Sequence, residues 1–309
     1  MTDRDDHRVF VEERWPDLAV VSFEPLGYGW DCFTYLVNGE WVFQFPRLPG
    51  AGERLRKQIE VLPDLAREVS SAVPAPTYAS LDPPCMGYLR IEGTPMSTEV
   101  DGIWPERLGR FLYDLHLTPP EFVGMRSSTG SAVREGLRFE VASLSDHVLP
   151  LLEADERTHA EQTLATFLED DENFRFAPCL THGDIGPEHV LVTGTGDLAG
   201  VIDWGDAEVG DPVCDLAWVV HAMPVEGERV LGAYGGPPDD RFFVRARFAF
   251  LLMPWHEVKY GAQTGQEAFV RSGLAGVRER LRRADRFDVP LPDWHDGRSN
   301  PDRRRSRDG

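Results

Sequence analysis

In the first part of the chain, apolar residues recur in short β-branched and aromatic runs separated by turn formers, the pattern of strands. Residues 20–24, 33–37 and 41–45 read as three strands. Asn38-Gly39 between the last two signals a type I′ hairpin, which needs positive φ at both positions. From 52 to 68 the period changes, with Leu55, Ile59 and Leu62 at helical spacing and Pro63 marking an expected kink or break. After Pro74-Ala75-Pro76 the run 86–91 reads as another strand, ended by Glu92-Gly93-Thr94-Pro95. Helical spacing dominates beyond that point. Trp104, Leu108, Phe111, Leu112 and Leu115 form one apolar stripe, residues 163–168 belong to a second helix, and 211–221 and 241–260 read as two more. The aromatic and aliphatic stretch 242–252 is expected to be core.

One segment breaks the helical pattern. Val190 to Val192 and Leu198 to Ile202 are apolar strands around the turn-rich Thr193-Gly194-Thr195-Gly196-Asp197. A hairpin centred on Gly196 puts His189 opposite Asp203 at its open end, where the two form a candidate metal site. Asp184 lies five residues upstream on a Gly- and Pro-containing loop. From there a carboxylate can reach a substrate hydroxyl while the pair behind it holds a cation on phosphates.

Composition narrows the function classes. The 309 residues are 41% hydrophobic, enough to bury a sizeable core, and no apolar run approaches the length of roughly 18 residues that a membrane span needs. The charged N-terminus has no apolar core of a signal peptide, and the four cysteines show neither metal spacing nor a disulfide framework, so a cytoplasmic location is expected. A net charge of −20 argues against nucleic acid and suits a cationic small molecule. The basic block Arg303-Arg304-Arg305-Ser306-Arg307 lies in a tail, 297–309, expected to be disordered and solvated.

The run Thr181-His182-Gly183-Asp184 through His189, with Ile202-Asp203-Trp204 after it, resembles the catalytic and metal-binding loops of the aminoglycoside phosphotransferase family, antibiotic kinases that share the protein-kinase fold. Gly210-Asp211-Pro212-Val213-Cys214-Asp215 continues the family pattern, and Asp211 before Pro212 also suits a helix start. The resemblance implies an α+β, protein-kinase-like two-lobed fold: a small β-rich lobe over 1–93 that binds the nucleotide, and a larger, mostly helical lobe over 94–296. It implies Asp184 as the catalytic carboxylate and His189 and Asp203 as Mg2+ ligands. The family most often carries Asn at the position of His189. His182 and Asp215 are implied to be structural supports of the catalytic loop.

By the same resemblance, Gly27 and Gly29 fall on the nucleotide loop, though two glycines equally suit a tight hairpin turn. Tyr88, Arg90 and Ile91 fall on the hinge that meets the base of ATP or GTP. Glu208, Asp211, His256 and Glu257 are candidate contacts to the acceptor. One departure stands out. Gln44 occupies the third-strand slot where the family carries a phosphate-gripping Lys or Arg, and Gln58 occupies the slot of its Glu partner. The two amides can bond to each other but bring no positive charge, and Arg47 and Arg54 are the nearby cations that could supply it. The expected activity is transfer of a γ-phosphoryl group to a hydroxyl of a small, cationic antibiotic, with no nucleic-acid or membrane partner. A macrolide or other small-metabolite kinase and a non-catalytic nucleotide- or antibiotic-binding pseudokinase are the alternatives.

Overall fold

The computed structural model describes residues 3–26, 31–48, 50–97 and 100–284. The chain divides into two compact units, one drawn from Met1–Thr129 and Ala177–Tyr234, the other from Gly130–Phe176 and Gly235–Gly309. The class is α+β. Gly27, Gly29 and the 297–309 tail lie outside the described residues.

The first unit opens with helix α1 (Asp3–Arg14), then strands β1 (Phe23–Pro25), β2 (Cys32–Val37) and β3 (Trp41–Pro46), helix α2 (Ala51–Glu68), and strands β4 (Pro76–Leu81) and β5 (Pro84–Leu89). The strands form one antiparallel sheet in the order β1-β2-β3-β5-β4. Asn38 and Gly39 have φ of 55° and 71°, as a type I′ turn between β2 and β3 demands. β4 begins at Pro76, the last residue of the Pro74-Ala75-Pro76 segment, because an edge strand tolerates a proline at its first residue. α1 gives no periodic signal since Val11 is its one buried residue.

Alternation divides the sheet into two faces. Phe33, Tyr35, Phe43 and Phe45 pack with Val11, Phe10 and Trp15, and His7 stacks on Phe45 with ring centroids 4.1 Å apart. The Phe43 ring lies 2.6 Å from where a Cβ on Gly87 would stand, so only glycine lets the two strands carry that ring. Cys32, Thr34, Val42 and Gln44 belong to the opposite face. α2 runs unbroken through Pro63. The expected break does not occur, because burial of Leu55, Val61, Leu62 and Leu65 on either side of Pro63 outweighs a lost helical bond worth about 3 kcal/mol.

The chain continues through β6 (Thr94–Pro95) and α3 (Trp104–Leu117), then enters the second unit as α4 (Gly130–Val148) and α5 (Ala154–Glu169). It returns to the first unit as β7 (Cys179–Thr181), β8 (Val190–Val192), β9 (Leu198–Val201), β10 (Glu208–Gly210), α6 (Val213–Ala222) and α7 (Pro224–Tyr234). β6, β8 and β9 form a small sheet, and β10 pairs with β7. The apolar stripe of α3 is buried, with Phe111 edge-on to Trp204 at 6.1 Å.

The second unit closes with α8 (Phe242–Thr264) and α9 (Glu267–Ala284). Its core gathers Leu144, Val148, Phe167, Phe248, Trp255, Val277 and Leu281, and Phe167 stacks on Phe248 with centroids 3.6 Å apart. The expected aromatic core of 242–252 is thus realised. Among the described residues no helix is long and apolar enough to cross a membrane.

Candidate active site

The site is built around the β8–β9 hairpin, whose register differs from the symmetric one. Val190 faces Val201 and Leu191 faces Gly200, then a bulge puts Val192 opposite Leu198, with one extra residue on β9. The residue opposite His189 is therefore Ile202, whose N–H donates to the His189 carbonyl at 2.9 Å. Asp203 comes one residue later with φ of +65°, a left-handed conformation that Asp tolerates better than most residues. That turn restores the meeting the register would have lost: His189 Nε2 and Asp203 Oδ2 are 3.6 Å apart.

Upstream, His182 is fully buried and joins the two halves of the site. Its Nε2 lies 3.0 Å from the Ile202 carbonyl, and its Nδ1 accepts from the Asp184 N–H at 3.2 Å. This bonding requires a neutral ring, and burial lowers the pKa of His182 accordingly. Gly183 has φ of +87°, and a Cβ there would stand 2.5 Å from the Asp206 carbonyl oxygen, so the triplet admits nothing but glycine at its centre.

Asp215, at the start of α6, holds the same loop from beneath. Its carboxylate accepts from the backbone N–H groups of His182 and Gly183, each at 2.8 Å, and stands 3.0 Å from His116 Nε2. His116 Nδ1 in turn lies 2.9 Å from the Tyr234 hydroxyl. Burial alone would raise the Asp215 pKa, but the bonds and charge from His116 and the backbone outweigh it and the pKa is lowered. His116 and Tyr234 escape a reading of the sequence, since nothing local marks a histidine on an apolar helix stripe as the partner of an Asp 99 residues away.

Asp184 projects from this braced loop with its side chain 58% exposed. Partial loss of hydration beside the surrounding loop raises its pKa to about 6, His189 opposes the rise, and Asp206, Asp203 and Glu188 add to it. His189 Nδ1 lies 2.7 Å from the Asp184 carbonyl oxygen. When the ring is neutral, Nδ1 carries the proton for that bond and Nε2 offers its lone pair toward Asp203. Burial works against the protonated ring, yet the Asp203 charge, the bond to Asp184 and the charges of Asp184 and Glu188 together raise the His189 pKa.

The sequence candidates elsewhere fall in different places. Gln44 pairs across the sheet with Thr34 and Met86. Gln58 is buried on α2, and no hydrogen bond joins the two amides: the Gln58 amide nitrogen instead lies 3.7 Å from a Cβ built on Gly205. Tyr88 is buried on β5, Arg90 follows it with its N–H bonded to the Glu40 carbonyl at 2.8 Å, and Ile91 packs over Gly200. Glu208 is exposed on β10, where its carbonyl accepts from the Thr181 hydroxyl at 3.1 Å. Asp211 lies nearby in sequence. It is buried just before α6, where its carboxylate accepts from the Val213 N–H at 3.1 Å. His256 and Glu257 sit on α8 in the second unit, paired there with Glu140 and with the Ser272 hydroxyl.

Among the described residues no group of three or more His, Cys, Asp or Glu side chains is arranged to hold a metal by itself. A lone pair on Nε2 facing a carboxylate, both beside an open loop, is nevertheless a donor set that fits a divalent cation completing its shell with phosphate and water oxygens.

The chain matches the phosphotransferase enzyme family over residues 22–251. It is 27% identical over 265 residues to viomycin phosphotransferase of Streptomyces vinaceus, covering 80% of this chain and 90% of that protein. Its fold matches the GDP complex of aminoglycoside 2'-phosphotransferase-IIIa with a TM-score of 0.80 at 22% identity, over 92% of this chain and 100% of the other. A macrolide 2'-phosphotransferase from Brachybacterium faecium matches with a TM-score of 0.68 at 22% identity, over 89% and 97% of the two chains. With the match spanning most of its length, the chain belongs to the phosphotransferase enzyme family.

Proposed function

We propose that the protein transfers the γ-phosphoryl group of ATP or GTP to a hydroxyl of a cationic antibiotic, an aminoglycoside or a basic peptide of the viomycin kind, and so confers resistance. The observation that carries this reading is the constellation around the catalytic loop: Asp184 exposed on a braced turn, His189 bonded to its carbonyl, and Asp203 3.6 Å from the far nitrogen of that ring.

In this reading Asp184 accepts or orients the proton of the attacking hydroxyl. A carboxylate with a pKa of about 6 is ionised near neutral pH and basic enough to take part in the transfer. Gly183 lets the loop approach Asp206 closely enough to set the angle of Asp184, and Asp215 fixes its height through two backbone bonds. His189 Nε2 and Asp203 would hold Mg2+, which supplies charge neutralisation at the β and γ oxygens when bound. Asp184, Glu188 and Asp206, all acidic and clustered electrostatically, favour a positively charged acceptor over a neutral one.

The relatives support the same class: one is named for viomycin, and another is recorded in complex with GDP and kanamycin. Expression in a sensitive bacterium, with growth measured against aminoglycosides, viomycin-type peptides and macrolides, tests the reading. Raised tolerance to one of the cationic classes is expected. Tolerance confined to macrolides would overturn the cationic assignment.

A further inference from the structure

The helix beside β3 carries an arginine, Arg54, near the candidate metal site. Residues 54, 57 and 58 fall on one face of α2, and that face meets the segment after Asp203. A Cβ built on Gly205 stands 3.7 Å from Asp203 Oδ1, 3.7 Å from the Gln58 amide nitrogen and 3.8 Å from Arg54 Cδ. Arg54 Cδ and the Asp203 carboxylate thus both border Gly205. Its guanidinium is ion-paired with Asp31, which directly precedes β2, and both side chains stay about one-third exposed. Arg54 Nε is buried and has no hydrogen-bond partner. A buried guanidinium donor without an acceptor is costly unless something else bonds to it. Lys57, one turn on, is already committed to the Ala207 carbonyl.

The competing cation points elsewhere. Arg47 lies over the Phe33 ring, 5.6 Å from its centroid, and Phe33 packs with His7 and Phe45 on the face of the sheet opposite Gln44.

Resting on the phosphotransferase reading above, we propose that Arg54 is the phosphate-gripping cation of this enzyme, transferred from β3 to α2, with Asp31 as its counter-ion before the nucleotide arrives. The guanidinium fork suits phosphate oxygens in two bonds where a lysine would offer a point charge. Gln44 and Gln58 then need no charge: moving the cation to the helix removes the reason for an acidic partner there. Gln58 fills the space beside Gly205 instead.

The test is calorimetric titration of the full chain in Mg2+ with ATP, GTP, adenosine and guanosine. For whichever triphosphate the wild type binds, Arg54→Ala should weaken binding roughly 10- to 100-fold, the size of a charged hydrogen bond, and leave the matching nucleoside unchanged. Arg54→Lys should retain part of the affinity. Asp31→Asn should tighten triphosphate binding several-fold by removing a competing negative charge, and Gln44→Ala should change it less than about twofold. Unchanged triphosphate affinity in Arg54→Ala, or an equal loss for triphosphate and nucleoside, would overturn the inference while leaving the phosphotransferase reading intact. A wild type that binds neither triphosphate would overturn both. If Arg54→Ala does not fold, opposite shifts in Arg54→Lys and Asp31→Asn support the inference, and shifts of the same sign refute it.

Discussion

His116 Nε2 stands 3.0 Å from Asp215 Oδ2, with the two side chains 4% and 0% exposed. The contact ties α3 to the base of the catalytic loop, because the same Asp215 oxygen accepts the His182 N–H. His116→Phe keeps an aromatic ring but removes one of the carboxylate's partners and the nitrogen that faces the Tyr234 hydroxyl. We expect it to cost about 2–4 kcal/mol in unfolding free energy and to lower turnover about tenfold, since the loop loses its brace. Denaturant unfolding and steady-state kinetics check this. An unchanged midpoint would show that the backbone bonds alone hold Asp215.

Asp184→Asn separates function from stability. Turnover should fall by roughly 10² to 10⁴ if the carboxylate takes or orients the proton. The fold should gain. A carboxyl whose pKa is raised from its ordinary value to about 6 binds its proton more tightly folded than unfolded. The ionised group therefore opposes folding above about pH 6, and the penalty vanishes once the pH falls below the ordinary carboxylate value. Because Asp184 is more than half exposed, the gain is a few degrees in Tm at mildly alkaline pH, shrinking to nothing in acid. Thermal scans across pH that show no such convergence would contradict the assignment.

The two candidate metal ligands should not be equal. Asp203→Asn removes the charge that faces His189 and should abolish the Mg2+ dependence of triphosphate binding. His189→Asn still supplies an oxygen at the same loop position and should be milder. Titration of triphosphate with and without Mg2+ ranks them, and equal damage would argue that the two do not share one ion.

Gly183→Ala should be worse than its size suggests. The residue has φ of +87° and its Cβ would meet the Asp206 carbonyl oxygen at 2.5 Å. We expect a stability loss of about 1–3 kcal/mol and a larger proportional loss of turnover than of nucleotide affinity. A variant with wild-type kinetics would mean the loop relaxes without moving Asp184.

Much of this was readable in the chain because the signals are local. Asn38-Gly39 dictates its turn, the spacing of Leu55 and Leu62 dictates α2, and the residues from His182 to Asp203 carry their types in one short stretch around a hairpin. What was not readable depends on distance or on a single inserted residue. The β9 bulge moves the register by one, and no pattern of apolar residues fixes that step. The pairings of Asp215 with His116 and of Arg54 with Asp31 join residues 99 and 23 positions apart.

Mass spectrometry of purified protein incubated with Mg2+, ATP or GTP, and a panel of aminoglycosides and viomycin-type peptides tests the central claim most directly. The account predicts that at least one cationic antibiotic gains a single phosphoryl group on a hydroxyl, at the expense of the triphosphate, and that Asp184→Ala removes the product while still binding nucleotide. Triphosphate hydrolysis without transfer to any member of the panel, or transfer that persists in Asp184→Ala, would contradict it.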